Sequence, residues 1–211
     1  MVCRTDRSRN YAVPLWKNPM EVRINETIDL LRKVILDKNC DRMNKSTVKG
    51  FLGELIVRRQ LEEAGFDVKH HGNQTGYDLS IGQDGRFKID VKASLLKDEY
   101  SWGCDHWGWA LVHSNKKKQI SATHFICVGC GSGLEARLFI IVPAFMAERF
   151  PAGIRQFNRV NHALCAFPGT DRPVRKLSLK ESNYIAVCER LLRDESIKTL
   201  HPEESFRSIF S

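Results

Sequence analysis

Between residues 20 and 37 the apolar positions Val22, Ile24, Ile28, Leu31 and Ile35 recur mostly three or four apart, with Leu30, Val34 and Leu36 beside them. That spacing predicts an amphipathic helix from Met20 to about Asp37. A second stripe is formed by Val48, Phe51, Leu52, Leu55, Ile56 and Leu61. It predicts a helix reaching Ala64, with Ser46 or Thr47 as N-cap and Gly65 as a left-handed C-terminal cap. Phe66–Val68 reads as extended, and Lys69–Gly76 as a polar loop.

The period then changes to two. Tyr77–Ile81 and Arg86–Ser94 read as a hairpin around Asp84-Gly85, a strong turn dipeptide. Phe87, Ile89 and Val91 take one face of the return strand; Lys88, Asp90 and Lys92 take the other. Trp107–Val112, Thr123–Val128 and Leu138–Val142 are further strands, and Pro143 opens a short helix through Phe150 in the first-turn position that proline tolerates. Residues 151–182 show no clear period. Tyr184–Arg193 reads as helical, and the chain from Lys198 as a loose tail. Helix, strand, hairpin, strands, helix describes an α/β fold with a central mixed β-sheet flanked by helices. Residues 1–19, with Pro14 and Pro19, read as an irregular arm.

The 211 residues suit a single domain, and 42% hydrophobic with 27% charged composition is that of a soluble globular protein. We divide it into an N-terminal arm and helix (1–45), a core (46–150) and a basic C-terminal region (151–211) that completes the domain. No apolar run is long enough for a membrane helix, and the N-terminus lacks the apolar stretch of a secretory signal. Seven scattered cysteines fit free thiols in the cytoplasm. The net charge of +8 favours polyanionic partners. It is unevenly spread: residues 149–180 hold seven cations against Asp171 alone, a local +6.

Within this basic chain, three acids and a lysine stand out by position. Asp78 begins the first hairpin strand, and Asp90 and Lys92 share a face of the return strand. Pairing about the turn brings residue 78 opposite 89–91, so Asp78 and Asp90 meet. Two adjacent carboxylates repel unless a cation relieves them. Hard oxygen ligands suit Mg²⁺, with Mn²⁺ as a substitute. Glu54 lies mid-helix between Gly53 and Leu55, and Gly50 and Gly53 would let another backbone come close. If that face packs on the sheet, Glu54 points toward the same patch. The bland alternative is that Asp78 caps a strand and Asp90 and Lys92 sit on a solvated face.

Gly53-Glu54 on a helix, then Gly76-Tyr77-Asp78, an Asp-Gly turn and Ile89-Asp90-Val91-Lys92, together resemble the PD-(D/E)xK nuclease superfamily, and most of all its type II restriction endonucleases. The likeness covers residues 46–94 and extends more loosely through the strands to 142. Tyr77 stands where that pattern often has proline. The resemblance implies a restriction-endonuclease-like core and a homodimer that hydrolyses double-stranded DNA. It assigns catalysis to Glu54, Asp78, Asp90 and Lys92. It assigns Mg²⁺ to Asp78, Asp90, the Val91 carbonyl and Glu54, and a place beside the attacking water and scissile phosphate to Lys92. A Holliday junction resolvase or repair nuclease of the same superfamily is the first alternative. A non-catalytic DNA-binding protein on the same fold is the second, against which the intact acidic cluster argues.

Position and chemistry nominate DNA contacts at Lys69, His70, His71, Asn73, Gln74 and Thr75 in the loop, Lys116, Lys117 and Lys118 between strands, and Arg155, Arg159, Asn161, Arg172 and Arg175 in the basic region. For each, the competing reading is a solvated charge. Cys104, His106, Cys127 and Cys130 contain one CxxC only, a weak zinc signature, and Cys127 falls in an apolar strand. No structural zinc is expected there. Trp102, Trp107 and Trp109 read as packing residues rather than a stacking platform.

Overall fold

A computed structural model describes residues 19–37, 42–71, 76–96, 104–113, 121–151, 161–168 and 176–210. In chain order its elements are α1 (Pro19–Leu36), α2 (Arg42–Glu63), β1 (Val68–His70), β2 (Leu79–Ile81), β3 (Phe87–Leu95), β4 (Trp107–His113), β5 (His124–Cys130), β6 (Ala136–Pro143), α3 (Ala144–Ala147), β7 (Asn161–Ala166), α4 (Leu179–Leu191), β8 (Lys198–Leu200) and α5 (Arg207–Phe210). Six strands make one mixed sheet in the order β1-β2-β3-β5-β6-β8, in which only β3 and β5 run parallel. This is the α/β architecture expected from the periodicity.

The sheet divides two cores. Ile28, Leu52, Ile56 and Leu61 from α1 and α2 pack with Leu79, Ile89, Val91, Ile126, Val128 and Phe139, joined by Phe206 and Phe210 from the C-terminus. On the opposite face, Phe125, Cys127 and Ile140 pack with Trp107, Trp109, Leu164, Met146, Tyr184 and Cys188. Central strands therefore bury both faces, which is why β5 and β6 read as almost unbroken apolar runs rather than alternating ones. Trp107 and Trp109 are buried, their indole N–H groups donating to the Cys130 and Val128 carbonyls at 3.0 and 3.1 Å.

Several local expectations need correction. Helix α2 starts at Arg42, so Ser46 and Thr47 lie inside it rather than at its N-cap. Its far end is as expected: Gly65 has φ +89°, Phe66 N–H donates to Leu61 O and Gly65 N–H to Glu62 O, closing a Schellman motif. Lys69 and His70 belong to β1 rather than to a loop, paired with Ser80 and Leu79. The hairpin turn is longer than two residues, because the last pair is Ile81 with Phe87. Asp84 and Gly85 nevertheless adopt the successive left-handed conformations that an Asp-Gly pair supplies, at φ 59° and 66°.

Strand β4 leaves the main sheet and pairs with β7, a strand that the unpatterned basic stretch concealed. Pro143 is the N-cap of α3, outside the helix, which spans four residues only. Helix α4 begins at Leu179, five residues before the apolar stripe suggested, because Ser178 and Glu181 form a reciprocal capping box. The tail is not loose. β8 pairs with β6, and Phe206 and Phe210 are buried. Among the described residues no helix is long and apolar enough to cross a membrane.

Candidate active site

The hairpin register decides the site. Leu79 faces Ile89 and Ser80 faces Lys88, so the next step of the same register sets Asp78 against Asp90. Asp78 closes the ladder: its N–H donates to Ile89 O at 2.8 Å and its Oδ2 accepts from Val91 N–H at 2.7 Å. It thus caps the strand, as the bland reading held, and its carboxyl also meets that of Asp90 in side-chain hydrogen-bonding range. Asp90 Oδ1 pairs with Lys92 Nζ at 2.5 Å. The Lys92 ammonium in turn lies 6.0 Å from the centre of the Phe125 ring.

Burial raises both aspartate pKa values above the ordinary carboxylate range. For Asp78 the Val91 N–H pulls the other way, and the charge of Glu54 adds to the rise. For Asp90 the Lys92 ammonium opposes the rise, and Asp78 adds to it. The pair is thus two partly desolvated acids, and Asp78 makes Asp90 harder to ionise.

Helix α2 brings Glu54 in from the opposite face of the sheet. A Cβ on Gly53 would come within 2.7 Å of Ala93 Cβ, so glycine is what lets the helix lie against β3 beside the Asp90–Lys92 segment. Gly50 has no such neighbour, contrary to its expected part in close packing. Glu54 is near enough for its charge to act on Asp78, but its Oε2 accepts from His70 Nε2 at 2.7 Å. The His70 ring also meets Phe51 edge-on. Asp78, Asp90 and Lys92 therefore come together, while Glu54 stands one step aside with a partner of its own.

Gly76 prepares the approach to Asp78. It has φ +77°, and a Cβ there would strike Ser121 Oγ. His71 continues from β1 on the face opposite His70. Its N–H donates to Asp78 O at 2.8 Å, its Nε2 is 2.7 Å from Ser80 Oγ, and its ring meets Tyr77 at 4.8 Å. Adjacent histidines thus serve the two sides of one strand, one holding Glu54 and one bracing the Asp78 backbone.

Lys69 is exposed on β1 and pairs with Ser80 through the ladder. Asn161 pairs with His113 at the end of the β4–β7 ribbon. Asn73, Gln74, Thr75, Lys116, Lys117, Lys118, Arg155, Arg159, Arg172, Arg175 and Trp102 lie outside the described residues. Cys127 and Cys130 pack into opposite cores, so the CxxC does not converge on one point. Cys104, Cys127, Cys130, Cys165 and Cys188 are all buried. Among the described residues no group of three or more His, Cys, Asp or Glu is assembled as a ready metal site. The donor set nearest to one is the Asp78–Asp90 pair, whose chemistry fits a hard divalent cation: partly buried oxygen ligands whose mutual repulsion a positive charge would remove.

No family model matches the chain, and no curated protein matches its sequence. Among solved structures, the chain is similar to the bacterial homing endonuclease I-Ssp6803I at 16% identity and a TM-score of 0.40, over 68% of this chain and 91% of that one.

Proposed function

We propose that the protein is a Mg²⁺-dependent endonuclease acting on double-stranded DNA, of the sequence-specific, homodimeric restriction class. The observation that carries this reading is the register that sets Asp78 against Asp90, with Lys92 paired to Asp90 on the same face. Two half-buried acids whose pKa values burial raises are electrostatically costly in an unliganded fold, and a cation-binding role gives them a use.

Asp78 and Asp90 would hold Mg²⁺, with the Val91 carbonyl and Glu54 as further ligands. When bound, the ion acidifies a water and neutralises charge on the phosphate. Lys92 then has two tasks. Without metal it balances Asp90, and with substrate it presents a donor to the developing negative charge. His71 and the Val91 N–H keep Asp78 in place. His70 holds Glu54 until substrate and metal compete for it. A two-fold dimer would place one such site on each strand, as a double-strand cut requires.

The test is incubation of the purified protein with unmethylated plasmid and phage DNA in Mg²⁺, beside EDTA and Asp90→Ala controls. Discrete fragments that disappear in both controls are expected. Cleavage confined to four-way junctions would transfer the assignment to a resolvase. DNA binding with no metal-dependent cleavage would remove the enzyme reading.

A further inference from the structure

On the β3 face that carries Asp90 and Lys92, a third charged residue, Lys88, completes an alternating row at positions 88, 90 and 92. Lys92 is matched by Asp90, whereas Lys88 pairs with no carboxylate among the described residues. Its ammonium lies 5.4 Å from the centre of the Tyr77 ring. That ring also meets, edge-on, His71, which is tied to Ser80, the residue directly opposite Lys88 in the ladder. The Lys88 backbone is fixed as firmly. Its N–H donates to Thr123 Oγ1 at 2.9 Å, while its carbonyl accepts from the Thr123 hydroxyl at 3.0 Å and the Thr123 N–H at 2.7 Å. An aromatic face orients a lysine without neutralising it. The result is a positioned cation without a carboxylate partner among the described residues.

Two residues along a strand is about 7 Å. Lys88 therefore stands one step from Asp90 on the same face, a distance comparable with the separation of neighbouring phosphates on one nucleic acid strand. Beyond Lys92 the same face is closed, because Ser94 is buried and its Oγ accepts from Gly108 N–H of β4. At the other end Lys88 is only half-buried, and a strand seated over Asp78 and Asp90 would continue over it.

Resting on the nuclease reading, we propose that Lys88 binds the phosphodiester next to the scissile one, and that Tyr77 is the positioning residue that aims it. The contact is electrostatic and carries no base preference, so it contributes to affinity and register and leaves the chemical step unchanged.

The test combines anisotropy titration of a fluorescent DNA duplex over a range of salt with single-turnover cleavage in Mg²⁺. Lys88→Gln should weaken binding about three- to tenfold and reduce the salt slope by about 1, the loss of one phosphate contact. Its cleavage rate at saturating enzyme should stay at the wild-type value, and its thermal shift on adding Mg²⁺ should match the wild type. Lys88→Arg should restore affinity and slope. Tyr77→Leu should behave like Lys88→Gln, and Tyr77→Phe like the wild type. If the wild type cuts DNA while Lys88→Gln keeps its affinity and salt slope, or loses rate instead of affinity, the assignment is overturned and the nuclease reading stands. If the wild type neither binds nor cuts duplex DNA, both fall together.

Discussion

Asp78 does two things that pull against each other. Its Oδ2 takes the Val91 N–H, which favours a charged carboxylate, while burial and the charge of Glu54 favour a neutral one, and the second influence wins. Because folding raises the pKa of both Asp78 and Asp90, the folded chain holds those protons more tightly than the unfolded chain does. The stability they contribute is present at low pH and is lost as pH climbs from the ordinary carboxylate range through the raised values. Asp78→Asn keeps an oxygen for Val91 N–H and removes the charge. We expect its melting temperature without divalent metal to exceed that of the wild type by about 2–4 °C near neutral pH, roughly what 1 kcal/mol gives a chain of this size. The gap should open as pH rises from about 4 and close when Mg²⁺ stabilises the wild type alone. Calorimetric scans across pH, with and without Mg²⁺, check all three; a gap independent of pH would contradict the account.

Among the elements, α2 and β3 form the junction on which the site depends. Gly53 allows the contact, because a methyl there would meet the Ala93 methyl at 2.7 Å, and both flank site residues. Gly53→Ala should therefore cost about 1–3 kcal/mol by overpacking and displace Glu54 from its place near Asp78. Ala93→Gly in the same chain removes the clashing methyl, and nuclease activity should return in part. Gly50→Ala, on the same helix with open space around it, should instead stabilise by about 0.5–1 kcal/mol. Chemical denaturation of these three variants beside the wild type decides whether the close approach or merely helical glycine content matters. The hairpin makes a matching point. Its ends were legible in the alternation of Phe87, Ile89 and Val91, but the turn came out longer because Gly82 also turns left-handed, at φ +83°.

For the whole molecule, the main sheet is completed by the end of the chain. β8 adds the edge strand beside β6, and Phe206 lies fully buried against Phe139 with ring centres 5.2 Å apart. The first core thus joins α1 and α2 to residues more than a hundred positions later. Phe206→Ala should destabilise the entire fold by about 3–5 kcal/mol, seen as a single cooperative transition at lower denaturant. Local fraying of the last residues with an unchanged main transition would show that the tail is dispensable. The second core does the corresponding work on the other face. There the β4–β7 ribbon and α4 cover Phe125, Cys127 and Ile140, and Lys88 on β3 stays half-buried.

What the order of residues determined is local. Stripes at helical spacing specified α1 and most of α2, alternation and an Asp-Gly pair specified the hairpin, and a period of two put Lys88, Asp90 and Lys92 on one face. Those features depend on neighbours a few positions away, so they are written in short windows. The hairpin even implied that Asp78 and Asp90 would meet, because register follows from the turn. What only the tertiary structure decided is everything set by distant packing. Strand β4 turned away from the main sheet to pair with β7, Glu54 was captured by His70, and the apparent tail supplied a strand and two core phenylalanines. The Tyr77 ring was set beside Lys88 by a histidine six positions upstream of it. A three-residue edge strand or an isolated buried phenylalanine has too little local pattern to announce itself; its energy comes from partners that the chain brings together only on folding.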